Sequence, residues 1–151
     1  MRKPITIIVA LLLVLCFVGF GYSADVKKGI HVGNAGAFTG DAAAPCAEIY
    51  NSAQIAVDEW NARGGIQGVK IEQVMGDDAM DPAQGVNVAH KFVADELMYG
   101  VVGPPMSHIA QATLKIYGTA DLATITTAAS KPNLTEQGYK HFFRVNARND
   151  A

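Results

Sequence analysis

Cysteine is scarce: the 151 residues hold two, Cys16 and Cys46. Cys16 lies inside an apolar run over residues 7–18 that follows Arg2 and Lys3, so export with removal of that run leaves Cys46 alone and no internal disulfide to form. Cys46 stands between Pro45 and Ala47 with no cation beside it, the setting of a small buried residue and not of an activated thiol. Charge is sparse as well, at 17% of residues, with 12 basic residues, Arg2 and Lys3 among them, against 14 acidic ones. The lack of a basic block argues against nucleic acid as a partner. No second long apolar run follows the first, and the first is shorter than the roughly 20 residues a spanning helix needs. Internal repeats, low-complexity tracts and linker-like stretches are absent too.

The start of the chain carries a positive pair, an apolar stretch and then small residues. This three-part pattern predicts a signal peptide over residues 1–24, cut after Ala24 so that the mature chain begins at Asp25. Lipidation at Cys16 does not fit, because Leu15 precedes it where such a signal places a small residue. Residues 25–151 then form one domain of ordinary size.

Along that domain, residues 30–32 read as a strand entering a small-residue loop from Gly33 to Gly40. From Glu48 onward Ile49, Ala53, Ala56, Val57 and Trp60 recur at helical spacing, and Gly64-Gly65 ends the run. Residues 69–74 read as a second strand. Asp81-Pro82 then opens a helix, with Asp81 as cap and Pro82 where its missing N–H costs nothing, and Val86, Ala89, Phe92 and Val93 share a face. Residues 99–102 make a third strand closed by Gly103-Pro104-Pro105, Ser107 caps a third helix to about residue 117, and residues 122–127 and 142–145 supply two more strands. Strands alternating with helices at this spacing predict an α/β fold with a doubly wound parallel sheet. No helix follows the fifth strand, which predicts a truncated lobe.

In such a sheet, ligands bind at the carboxyl ends of the strands. The loops there, 36–46, 103–108 and 127–132, offer Thr39, Ser107, Thr126, Thr127 and Ser130, a lining suited to hydrogen bonding and without a general base. Ser107 places a hydroxyl beside the free N–H groups of a helix start, where a carboxylate is favoured; its alternative role is to cap its own helix. The glycines at 33, 36 and 40 miss the Gly-x-Gly-x-x-Gly spacing of a dinucleotide loop, and no acid ends the second strand at the required distance. Asp77, Asp78 and Asp81 lack the alternation of a calcium loop and read as turn and cap residues. His31, His90, His108 and His141 have no metal-ligand spacing, and His108 reads as a rim residue. No cofactor, metal or catalytic residue is expected.

The string Gly36-Ala37-Phe38-Thr39-Gly40, the helix from Ala53 to Asn61 with Arg63-Gly64-Gly65-Ile66, Asp77-Asp78 with Asp81-Pro82, and Ala128-Ala129-Ser130 followed by Pro132 and Leu134-Thr135 resemble the type I periplasmic binding proteins for branched-chain amino acids. The resemblance spans nearly all of residues 25–151. It implies the N-terminal lobe of a two-lobed protein that closes on one ligand, with Ser107, Ala128, Ala129 and Ser130 holding the ligand's carboxylate and ammonium. It places the family's aromatic contact at Pro45 and its apolar contact at Pro105, which alters the side-chain pocket. It also implies that a family disulfide would join the positions held here by Met80 and Met106, leaving an apolar contact in its place.

The function so implied is periplasmic capture of an amino acid, or a related small carboxylate or amide, for the permease of an ABC uptake transporter, by a monomer that is not an enzyme. A sensor lobe reporting ligand to a receptor or regulator is the alternative on the same fold. An exported α/β enzyme is the alternative of a different class, and it needs a Ser/His/Asp arrangement or a phosphate loop that these residues do not supply.

Overall fold

The computed structural model describes residues 29–151; the signal peptide expected over residues 1–24, with Cys16, lies outside the described residues. Five strands, β1 (Ile30–Gly36), β2 (Ile71–Asp77), β3 (Met98–Val102), β4 (Ala123–Thr126) and β5 (Phe142–Arg144), are joined through three α-helices, α1 (Ala43–Ala62), α2 (Pro82–Ala94) and α3 (Ser107–Thr119). All neighbouring pairs are parallel, in the order β2-β1-β3-β4-β5. From β1 the chain steps outward to β2, then returns past β1 to β3, so α1 covers one face while α2 and α3 cover the other. The reversal beside β1 is the switch point at which such sheets open a crevice.

Strand β1 runs four residues past the expected one. Residues 33–36 are not loop: Asn34 pairs with Met75 on one side and Val102 on the other, and Gly36 pairs with Asp77. The glycines there answer a packing need. A Cβ on Gly33 would lie 2.7 Å from the ring of Phe92, and one on Gly76 would lie 2.7 Å from the same ring. Two strands thus give up side chains so that one buried phenyl can reach the sheet, where it joins Ala35, Val88, Ala89, Val101, Tyr117 and Leu122 in the core under α2 and α3.

Helix α2 begins as expected. The Asp81 carboxylate accepts the Gln84 N–H at 2.8 Å, and Pro82 occupies the first turn. Helix α1 begins earlier than Glu48, at Ala43, directly behind a 3-10 turn at Gly40–Ala42; the alanine-rich stretch is a good helix former, and Pro45 is tolerated in the first turn because no N–H is needed there. Its Val57 packs on Ile30 and Ile71. Beyond β3 no helix covers that face among the described residues. Val102, Ile125 and Phe143 stand in register across β3, β4 and β5, and Ile125, Phe143 and Val145 are 40%, 51% and 72% exposed.

Gly103 sets how β3 leaves the sheet. Its φ is +103°, and a Cβ would lie 2.1 Å from the Ala35 carbonyl oxygen, so only glycine lets the two strand ends approach.

Candidate functional site

Because the strands are parallel, the turns after β1, β2, β3 and β4 gather at one rim. Phe38 and Thr39 follow β1, and both are tied to Asp77 at the end of β2: its carboxylate accepts the Phe38 N–H and the Thr39 hydroxyl, each at 2.8 Å, and also the Ala79 N–H at 2.9 Å. Burial pushes the Asp77 carboxyl upward, but the hydrogen bonds from Thr39, Ala79 and Phe38 outweigh it and hold the group below the usual aspartate range. Asp78 is buried, and loss of solvation pushes it up. The acidic pair therefore builds the turn, as expected of turn residues.

Ser107 is the first residue of α3 and does not cap it. Met106 takes the cap position, and no side chain caps the helix. The Ser107 oxygen instead accepts the Lys131 N–H at 3.3 Å from the loop after β4. A hydroxyl that accepts from the backbone keeps its proton for another acceptor, and the first N–H groups of α3 have no acceptor within their own helix. Ser107 and Ser130 are both partly exposed, so hydroxyls and helix N–H groups stand together at the end of β3 and β4.

Arg144 fixes the β4 loop from behind. Its guanidinium donates to the Ala129 carbonyl at 3.1 Å, the Lys131 carbonyl at 3.1 Å and the Thr135 hydroxyl at 2.9 Å. The Asn149 N–H donates to the Ser130 carbonyl. Ala129 is fully buried and Ala128 exposed. Thr126 is not part of the lining: it is buried, donates to the Pro104 carbonyl at 2.8 Å and accepts the Ala129 N–H at 3.1 Å.

A cleft of about 680 Å³ lies between α1 and the ends of β3 and β4, walled by Pro45, Glu48, Ile49, Val102, Thr127 and Ala128. It brings Pro45 and Ala128 onto one surface. Pro105 is buried beneath the start of α3, so its side chain stands outside this wall. Met106 packs against the cluster of Ala37, Ala42 and Cys46, and Met80 is 42% exposed. Cys46 is a buried free thiol in the first turn of α1, raised by its burial.

Sequence reasoning missed Arg144 and the tie between His108 and the Met80 carbonyl, 3.2 Å long. Both bridge turns far apart in sequence, and no local pattern announces them.

A profile of the family described as "Periplasmic binding protein" matches residues 29–151. Leu/Ile/Val-binding protein homolog 1 of Brucella abortus is 38% identical over 150 residues, covering 99% of this chain and 39% of that protein. The Leu/Ile/Val-binding protein of Escherichia coli K12 is 37% identical over 131 residues, 87% of this chain and 34% of its own length. Among solved structures, the branched-chain amino acid transporter substrate binding protein LivJ of Streptococcus pneumoniae, in complex with isoleucine, superposes with a TM-score of 0.74 at 31% identity, over 80% of this chain and 34% of that one. The chain thus spans under two fifths of the length of the relatives it matches. With the profile covering every described residue and a relative 38% identical over 99% of the chain, the chain belongs to the periplasmic binding protein family.

Proposed function

We propose that this chain is the N-terminal lobe of an exported, two-lobed binding protein that captures an amino acid, or a related small carboxylate or amide, and passes it unchanged to the permease of an ABC uptake transporter. It works as a monomer in the periplasm after loss of residues 1–24. The observation that carries this reading is the meeting of Ser107 with the Lys131 N–H. In this reading the Ser107 hydroxyl and the N–H groups of α3 take the ligand's carboxylate, and the Ala128 carbonyl takes its ammonium. Pro45 and the cleft beside it receive the ligand's side chain.

The names of the relatives, and the isoleucine in the Streptococcus pneumoniae complex, support an aliphatic amino acid as the first ligand to try. The test is calorimetric titration of the two-lobed protein with leucine, isoleucine and valine, followed by mass analysis of the recovered ligand. Saturable binding with the ligand returned intact is expected. Turnover of any of them, or no binding to any small carboxylate or amide, overturns the reading.

A further inference from the structure

The turn between β2 and α2 is held in an unusual shape. Ala79 and Met80 are consecutive residues with φ of 48° and 61°, the left-handed region that side-chain-bearing residues disfavour. A turn of this kind persists only where its neighbours determine it. Its N–H groups are accounted for: Asp77 accepts from Ala79 and Asp78 accepts from Met80, each at 2.9 Å, and the Asp81 N–H returns to the Asp78 carbonyl at 2.8 Å. The Met80 carbonyl is left pointing across to α3, where it accepts from His108 Nε2 at 3.2 Å. A carbonyl can only accept, so Nε2 carries the proton.

His108 follows Ser107 directly in the first turn of α3. We infer that His108 is a positioning residue for the ligand site, clasping the β2–α2 turn to the start of α3 and so setting where Ser107 stands. The clasp completes a hydrogen-bonded girdle. Thr39 and Phe38 hold to Asp77, Asp77 and Asp78 hold the turn, the turn holds His108, Ser107 accepts the Lys131 N–H, and Arg144 donates to the Lys131 carbonyl. Every strand end from β1 to β5 is joined to the next without a covalent link. Met80 contributes its carbonyl to the clasp.

The inference rests on the proposed binding function for its consequence, but not for its geometry, and two measurements keep them apart. Amide hydrogen exchange on this chain reads the clasp without ligand. His108→Ala should speed exchange of the Met80 and Lys131 amides about tenfold, since a single net hydrogen bond is removed from the local opening equilibrium. His108→Gln, whose side-chain amide places a donor near the position of Nε2, should restore protection. Titration of the two-lobed protein with leucine should show affinity weakened about fivefold in His108→Ala and recovered in His108→Gln. Unchanged exchange in His108→Ala, or loss that glutamine does not repair, overturns the clasp. Should the wild-type protein bind no leucine, isoleucine or valine, the binding function is what fails, and the exchange result alone decides the clasp.

Discussion

Ser107 and Lys131, 24 residues apart, meet across the rim: the serine oxygen accepts the lysine backbone N–H at 3.3 Å. The helix start and the β4 loop are thereby tied together, and the serine proton is not used in the tie. In the two-lobed protein, Ser107→Ala should weaken ligand binding roughly tenfold to a hundredfold, because a hydrogen bond to a charged group contributes about 1.5–3 kcal/mol. Ser130→Ala should cost a similar factor. Calorimetry and thermal melting on the same variants check this; unchanged affinity with a lower melting temperature would make both serines structural only.

Phe92 is 1% exposed and seated where Gly33 and Gly76 give up their side chains. Phe92→Ala should destabilise the lobe by about 3–5 kcal/mol. Denaturant unfolding measures it directly.

Gly103 admits no side chain. Gly103→Ala must move the Ala35 carbonyl, 2.1 Å from the added carbon, and adopt a φ of +103° as well, costing at least about 2 kcal/mol. Soluble yield and chemical denaturation of the variant report the loss, and wild-type stability would refute the tight approach of β1 and β3.

Acid should unfold the lobe partly through Asp77. Its burial is outweighed by hydrogen bonds from Thr39, Ala79 and Phe38, so its folded pKa lies below the ordinary 3.8. The stability it contributes is present above that ordinary value and is lost as pH falls through the lower, folded one. Asp78 has the opposite sign, since burial raises its folded pKa and protonation relieves that cost. Melting curves taken downward from about pH 5 should show a shallower acid loss in Asp77→Asn than in wild type.

Processing is checked by intact mass. Material recovered from the periplasm should begin at Asp25, after Ala24; a chain still carrying Met1, or a lipid on Cys16, would refute the leader.

The periodic parts of the chain are legible in the residues themselves. Alternating strands and helices, the Asp81-Pro82 helix start and the small-residue loops at the strand ends all follow from local chemistry. Two departures from the local reading share a cause. Glycine at position 33 signals either a turn or a close approach, and Phe92, 59 residues further on, decides for the second. Likewise, a serine at a helix start signals a cap until the chain supplies another donor, here the Lys131 N–H. Arg144 and His108 are illegible in sequence because their partners, the carbonyls of Ala129, Lys131 and Met80, are backbone atoms with no residue identity to read.

The exposed pair Ile125 and Phe143, with Val145 beside it, is an apolar patch on the described residues. Water-exposed apolar patches of that kind adsorb to plastic, take up hydrophobic dyes and draw molecules into precipitates as concentration rises. Phe143→Lys, on the outermost of the described strands, should therefore lower dye uptake and precipitation of residues 29–151 taken alone.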